Sequence, residues 1–279
     1  MTIGHNSIPA AALVFVMLAG SAAPAFAAGA SPWVEDLHSG VRLMSGTSPS
    51  GTAPLRAGIE LKMQPGWHTY WRYPGDSGVP PRFSFAGSDN LANAKVSYPA
   101  PHLFTDETGN SLGYIDDVIF PLRVTPRQAG KPVKLRMKIE YAVCEKLCMP
   151  VEASAELTLT GGASDTDAAL AGAEAKVPKP ASAADIGLTA RRVNNAAKPL
   201  VFVDLAAPGT DKVDLFVEGP TPEWALPIPK PAQGAPAGHR HFGFDLDGLP
   251  PGVDPKGHFD LTFTVVQDGK AREVTTHLD

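Results

Sequence analysis

The sequence predicts an all-β protein of two β-sandwich domains joined by an Ala/Gly/Pro-rich linker. Three observations carry this. Gly and Pro are frequent, at 27 and 28 of 279 residues, and cut the chain into short segments rather than long helices. Two stretches, 34–160 and 185–279, consist largely of runs that alternate apolar with polar side chains. Between them, "GGASDTDAALAGAEAKVPKPASAA" (161–184) loses all aromatics and fills with Ala, Gly, Ser and Pro, the composition of an interdomain linker.

The amino terminus is set apart. "AALVFVMLAG" has the length of a signal-peptide apolar region, and Ala25-Phe26-Ala27 fits the small-x-small cleavage rule. Residues 1–27 are therefore expected to be a signal peptide, although "MTIGHNS" lacks the usual Lys or Arg. The run is too short to span a bilayer comfortably, so the mature chain is expected to be exported and not itself membrane-spanning. Export implies an oxidising compartment, where disulfides persist.

In 28–160 the strands are read at "VRLMSG", "LRAGIELKM", "FSFAG", "AKVSYPA", "VIFPLRVTP", "VKLRMKIEYAV" and "EASAELTLT". In "VKLRMKIEY", Val133, Leu135, Met137, Ile139 and Tyr141 share one face, and Lys134, Arg136, Lys138 and Glu140 the other. Turns are read at "QPGW", "YPGDSG" and "RQAGKP". A short helix over "TDAALAGAEAK" suits the linker. In 185–279 the strands are "IGLTARRV", "PLVFVDLAA", "KVDLFVEG", "HRHFGFDLDG", "HFDLTFTVVQDG" and "AREVTTHLD", with "QDGK" as a hairpin turn.

The composition excludes some functions. Hydrophobic content of 43% supports a packed core. Net charge of -5 without a long charge run argues against nucleic acid as partner. The chain carries no dinucleotide fingerprint, P-loop or G-x-S-x-G. No cofactor is expected.

Chemistry concentrates in "YAVCEKLCMP" (141–150), which holds both cysteines, Cys144 and Cys148. Three readings stand side by side. As a staple, the pair closes so short a loop that it contributes only about 2 kcal/mol. As a soft-metal clip, Cys144, Cys148 and Met149 would suit Cu(I), with His68 or His102 arriving from elsewhere. No second Cys-x-x-Cys supports that reading, and His239 and His241 look like a surface pair. As an exchangeable couple, the cysteines would face each other at a hairpin tip with Cα atoms about 4.5 Å apart, within reach of a partner's thiolate. Lys146 would favour a thiolate and Glu145 would oppose it. The spacing and the strand that follows differ from the thioredoxin motif, which opens a helix.

"YAVCEKLCMPVEA" is similar to the amino-terminal periplasmic domain of the DsbD family, and more closely to its ScsB-like branch, associated with suppression of copper sensitivity. "KMQPGWHTYWRYPGDSGVPPRFSF" (62–85) and "YPAPHLFTDETGNSLGYIDDVIFPLRV" (98–124) resemble further blocks of that domain. "DLFVEGPTPEWALPIP" (214–229) resembles the second domain of the ScsB branch. The resemblance implies two immunoglobulin-like β-sandwich domains, at 28–160 and 185–279, in the periplasm. It implies a thiol–disulfide interchange or protein-disulfide reductase activity with Cys144 and Cys148 as the redox pair. Electrons would come from a membrane thiol carrier of the DsbD/CcdA type. They would pass to periplasmic thioredoxin-like or disulfide-isomerase-like proteins. Segment 103–114 would be a cap loop, with Phe104 or Tyr114 as a shielding aromatic. Asp106 and Glu107 would tune thiol pKa or handle protons.

Two departures qualify the carry-over. DsbD spaces its pair more widely. Full-length DsbD and ScsB continue into membrane and thioredoxin-like domains; neither is read in these 279 residues, so a separate membrane carrier is expected. Two other readings remain: a binding module whose disulfide is structural, and a periplasmic copper-handling protein. Outside the pair, bland roles are favoured. Trp67, Tyr70, Trp71 and Tyr73 read as core and turn packing, Trp224 as packing between strands. Asp106, Glu107, Asp116 and Asp117 read as a solvated acidic loop.

Overall fold

Period-two alternation becomes strand throughout the computed structural model, which describes residues 1–2, 29–48, 54–106, 109–194, 198–207 and 212–279. The apolar run and cleavage site of the expected signal peptide lie outside the described residues, as do Glu107 and the side chain of Asp106.

The first half runs through β1 (Val34–Glu35), β2 (Ser39–Ser45), β3 (Leu55–Met63), β4 (His68–Gly75), β5 (Arg82–Ser84) and β6 (Leu91–Val96). It continues with β7 (His102–Asp106), β8 (Gly109–Ile115), β9 (Asp117–Pro126), β10 (Val133–Cys144) and β11 (Cys148–Leu159). Next come α1 (Asp167–Lys176), β12 (Lys179–Pro180) and α2 (Ala183–Ile186). The second half holds β13 (Leu188–Val193), β14 (Leu200–Ala206), β15 (Val213–Glu218), β16 (Lys230–Pro231), β17 (His239–Asp245), β18 (Phe259–Gln267) and β19 (Lys270–Leu278).

Among the described residues the strands form four sheets: β1-β2-β3-β9-β6, β11-β10-β4-β8-β7 with β5 on β10, β12-β19-β18-β15, and β13-β14-β17-β16. The first two sheets face each other. Phe120 of β9 meets the rings of Phe83, Tyr98 and Tyr114 at 5.4–5.5 Å, each edge-on. The last two do likewise, through Phe244 against Phe263 at 6.5 Å.

Strand β10 follows its sequence. Its odd members are buried in the core. Its even members from Lys134 to Glu140 face water, and their charges pair with β11, Lys134 and Arg136 with Glu156 at 2.8 and 2.9 Å, Lys138 with Glu152 at 3.0 Å. Such exposed pairs contribute at most about 1 kcal/mol each, so the buried face dominates the strand's energetics.

The Ala-rich segment between the halves is docked onto the first of them. Leu170 of α1 is fully buried, which is worth about 2 kcal/mol. A Cβ at Gly58 would stand 2.5 Å from Leu170 Cδ2, so only glycine leaves the helix room. Arg56 reaches Asp167 at 2.6 Å and Glu174 at 2.9 Å. The halves also touch directly. Arg72 bridges Glu218 (2.6 Å) and Glu273 (2.5 Å), and the Trp71 ring lies 6.1 Å from Phe216. Tyr73 donates its hydroxyl to the Leu226 carbonyl. Among the described residues no helix is long and apolar enough to cross a membrane.

Candidate functional site

The site grows from the hairpin of β10 and β11. Twelve register pairs run from Val133↔Leu159 to Cys144↔Cys148, and residues 145–147 close the tip. The last pair is a disulfide with Cα atoms 4.1 Å apart, close to the spacing expected of directly opposed residues. Cys144 has the parity of Lys138 and Glu140, so the bond sits on the wet face of its sheet.

The two cysteines differ in access. Cys144 is 2% exposed, whereas Cys148 is exposed. What covers Cys144 comes from β4. His68 pairs with Cys144, which places His68 and Tyr70 on the disulfide's face. The Tyr70 hydroxyl lies 3.0 Å from Cys144 Sγ and 3.2 Å from Cys148 Sγ. Tyr70, Ala142 and Cys144 form a small buried cluster separate from the main core. Gly78 (φ +133°) lets the chain lie against the ring, since a Cβ there would stand 2.4 Å from Tyr70 Cδ1 and Cε1. Thr69 ties β4 to β10 by donating to the Ala142 carbonyl at 2.8 Å.

Phe104 reaches this face from β7. Its ring is 5.2 Å from His68, and His68 is 5.6 Å from Tyr70, edge-on. A row of aromatic rings thus runs from Phe104 to the disulfide. Around it are exposed apolar side chains: Leu147 at the tip, Ile115 opposite His68, and Val79 next to Gly78.

Several expectations need correcting in detail. The stretch read as a cap loop is mostly a hairpin, with β7 and β8 paired from His102↔Gly113 to Asp106↔Gly109. Tyr114 faces the other way from the disulfide. It pairs with Thr69, not His68, is 4% exposed, and donates to the Pro99 carbonyl at 2.8 Å. Burial pushes its phenol pKa well above the ordinary value, which suits a packing residue. Met149 packs against the core, away from the cysteines' face. Its thioether is therefore not beside the sulfurs, as the metal clip would need.

The aromatic block divides. Trp71 and Tyr73 are core, Trp67 stacks on His38 at 3.8 Å, and Tyr70 belongs to the disulfide. Trp224 packs edge-on against Phe259 at 4.8 Å, as read. His241 bonds Asp204 at 2.6 Å and stacks on Phe202. Sequence reasoning missed Tyr70 at the disulfide, named His68 only as a ligand arriving in the metal reading, and missed Gly78. The signal for the first two was parity within "WHTYW", usable only once β4 is known to meet Cys144.

Fold and site together define an all-β protein with a partly exposed disulfide at the tip of its longest hairpin. Residues 48–160 match the family described as "Thiol:disulfide interchange protein DsbD, N-terminal". The fold is similar to the crystal structure of the N-terminal periplasmic domain of ScsB from Proteus mirabilis. The TM-score is 0.69 at 20% identity, covering 90% of this chain and 98% of that one. No curated protein matches the sequence.

Proposed function

We propose that the chain is a periplasmic thiol–disulfide exchange protein of two immunoglobulin-like sandwich domains, with Cys144–Cys148 as its redox couple. It takes reducing equivalents from a membrane thiol carrier of the DsbD/CcdA type and passes them to thioredoxin-like or isomerase-like periplasmic proteins. The observation that carries this is the unequal exposure of the two cysteines at a hairpin tip, within a segment that matches the DsbD amino-terminal family.

The partner's thiolate attacks Sγ of Cys148, the exposed cysteine. The Cys144–Cys148 bond breaks as the mixed disulfide forms, and Cys144 leaves as a thiolate. Tyr70 is placed to donate a hydrogen bond to that charge. The partner's second thiol loses its proton, attacks its own half of the mixed disulfide and releases Cys148. The partner is now oxidised, and this pair has gained two electrons and two protons. The reverse sequence reduces a downstream disulfide. In this reading Phe104 shields the bond until a partner docks, and Asp106 and Glu107 serve proton transfer.

Trapping tests the relay. In Cys144→Ser the exposed Cys148 thiol remains and is expected to hold periplasmic partners as mixed disulfides. In Cys148→Ser the buried Cys144 is expected to hold few. If neither variant captures a thiol protein, the relay is ruled out.

A further inference from the structure

Far from the disulfide in sequence, the open end of the β18–β19 hairpin repeats one pattern on both strands. His258-Phe259-Asp260 leads into or begins β18, and His277-Leu278-Asp279 ends or follows β19. The strands pair Phe259↔Leu278 and Asp260↔His277. Phe259 and Leu278 are buried, at 9% and 1% exposed, and anchor both strands to the core. Alternation then turns His258, Asp260, His277 and Asp279 together to the solvent side.

The side chains converge. Asp279 Oδ1 is 3.5 Å from His258 Nδ1 and 3.5 Å from His277 Nε2. One ligand atom from each of these three residues lies within 4.8 Å of the others. The two imidazoles are parallel within 4°, with centroids 5.8 Å apart. In a tetrahedral site with arms of about 2.0–2.1 Å, adjacent ligand atoms sit about 3.4 Å apart. The carboxylate-to-imidazole distances already meet that spacing.

We propose that His258, His277 and Asp279 bind one divalent first-row transition ion of the Zn²⁺ class. Asp260 is the positioning residue. It accepts from His277 Nδ1 at 2.8 Å, which turns Nε2 towards Asp279 and leaves its lone pair for the metal. This is the carboxylate–histidine–metal relay that orients ligating imidazoles. Two imidazoles and one carboxylate suit Zn²⁺ or its neighbours Ni²⁺ and Cu²⁺. Ca²⁺ and Mg²⁺ prefer all-oxygen sets, and Cu(I) prefers sulfur. The ligands are exposed, so a fourth position opens to water or to a donor group from another molecule. The inference does not rest on any role for the disulfide.

The test uses the tag-free full chain, stripped of metal and titrated with Zn²⁺ by calorimetry, with bound metal measured after dialysis. One equivalent is expected. It is expected to vanish in His277→Ala and in His258→Ala, and to persist in His241→Ala and in the Cys144→Ser/Cys148→Ser double variant. Asp260→Asn is expected to weaken binding about 10–100-fold. Circular dichroism checks that the His variants stay folded, as expected for side chains this exposed. No bound Zn²⁺ in the unaltered chain, or an equivalent retained when both His258 and His277 are replaced, overturns the site. Unchanged affinity in Asp260→Asn overturns the positioning role.

Discussion

Two hairpins in this molecule are built alike and closed differently. β10 and β11, twelve residues each, end in three residues and a disulfide. β18 and β19, nine residues each, end in Asp268-Gly269. Both of those residues have positive φ, 50° and 73°, as a two-residue turn matched to strand twist requires. The second hairpin therefore closes on turn chemistry alone. The first has eleven other register pairs and the buried inner face of β10 to hold it. A bond closing so short a loop adds at most about 2 kcal/mol. In the proposed function, what the tip bond contributes beyond closure is an exchangeable pair with one exposed cysteine, Cys148.

Experiments can break that contrast, beginning with the largest effect. Cys148→Ser is expected to abolish exchange with a dithiol partner protein while leaving the urea unfolding midpoint of the domain nearly in place. Loss of most of the stability would make the bond a staple after all. Tyr70→Phe is expected next. A hydrogen bond to a charged group is worth about 1.5–3 kcal/mol, so its removal should raise the pKa of the Cys144 thiol in the reduced protein by about one to two units. The sign follows because Tyr70 favours the thiolate. Thiolate absorbance followed across pH reads the shift, and an unchanged pKa would mean that Tyr70 acts only by packing.

At the other hairpin, Gly269→Ala is expected to cost about 1 kcal/mol by forcing a side chain into the left-handed region. Urea unfolding measures it, with no change in exchange rate. The smallest effect belongs to Phe104→Ala. It is expected to speed reduction of the disulfide by a small thiol several-fold, since the ring stands over His68 rather than on the sulfurs themselves. An unchanged rate would remove the shield.

Much of this was legible in the sequence, for a physical reason. Alternation in "VKLRMKIEYAVC" is local, and it already assigns Cys144 to the wet face with Lys138 and Glu140. The Asp-Gly turn is equally local. Tyr70 was not legible. "WHTYW" presents aromatics on both faces, and which of them meets the cysteines depends on β10 lying beside β4 with Cys144 opposite His68. That register is a contact across 76 positions of chain, set by packing rather than by neighbours in sequence. Tyr114 was misplaced for the same reason, since its pairing with Thr69 fixes its face. The twin His-x-Asp pattern became visible only when the strands were aligned antiparallel.

The most direct test is the reduction potential of the Cys144–Cys148 couple, measured by equilibration against glutathione and against a thioredoxin-like protein. An exchangeable couple is expected to lie above about -300 mV, in the range where such partners can reduce it and be reduced by it. A potential well below about -300 mV, resistant to both, would contradict exchange and make the bond structural.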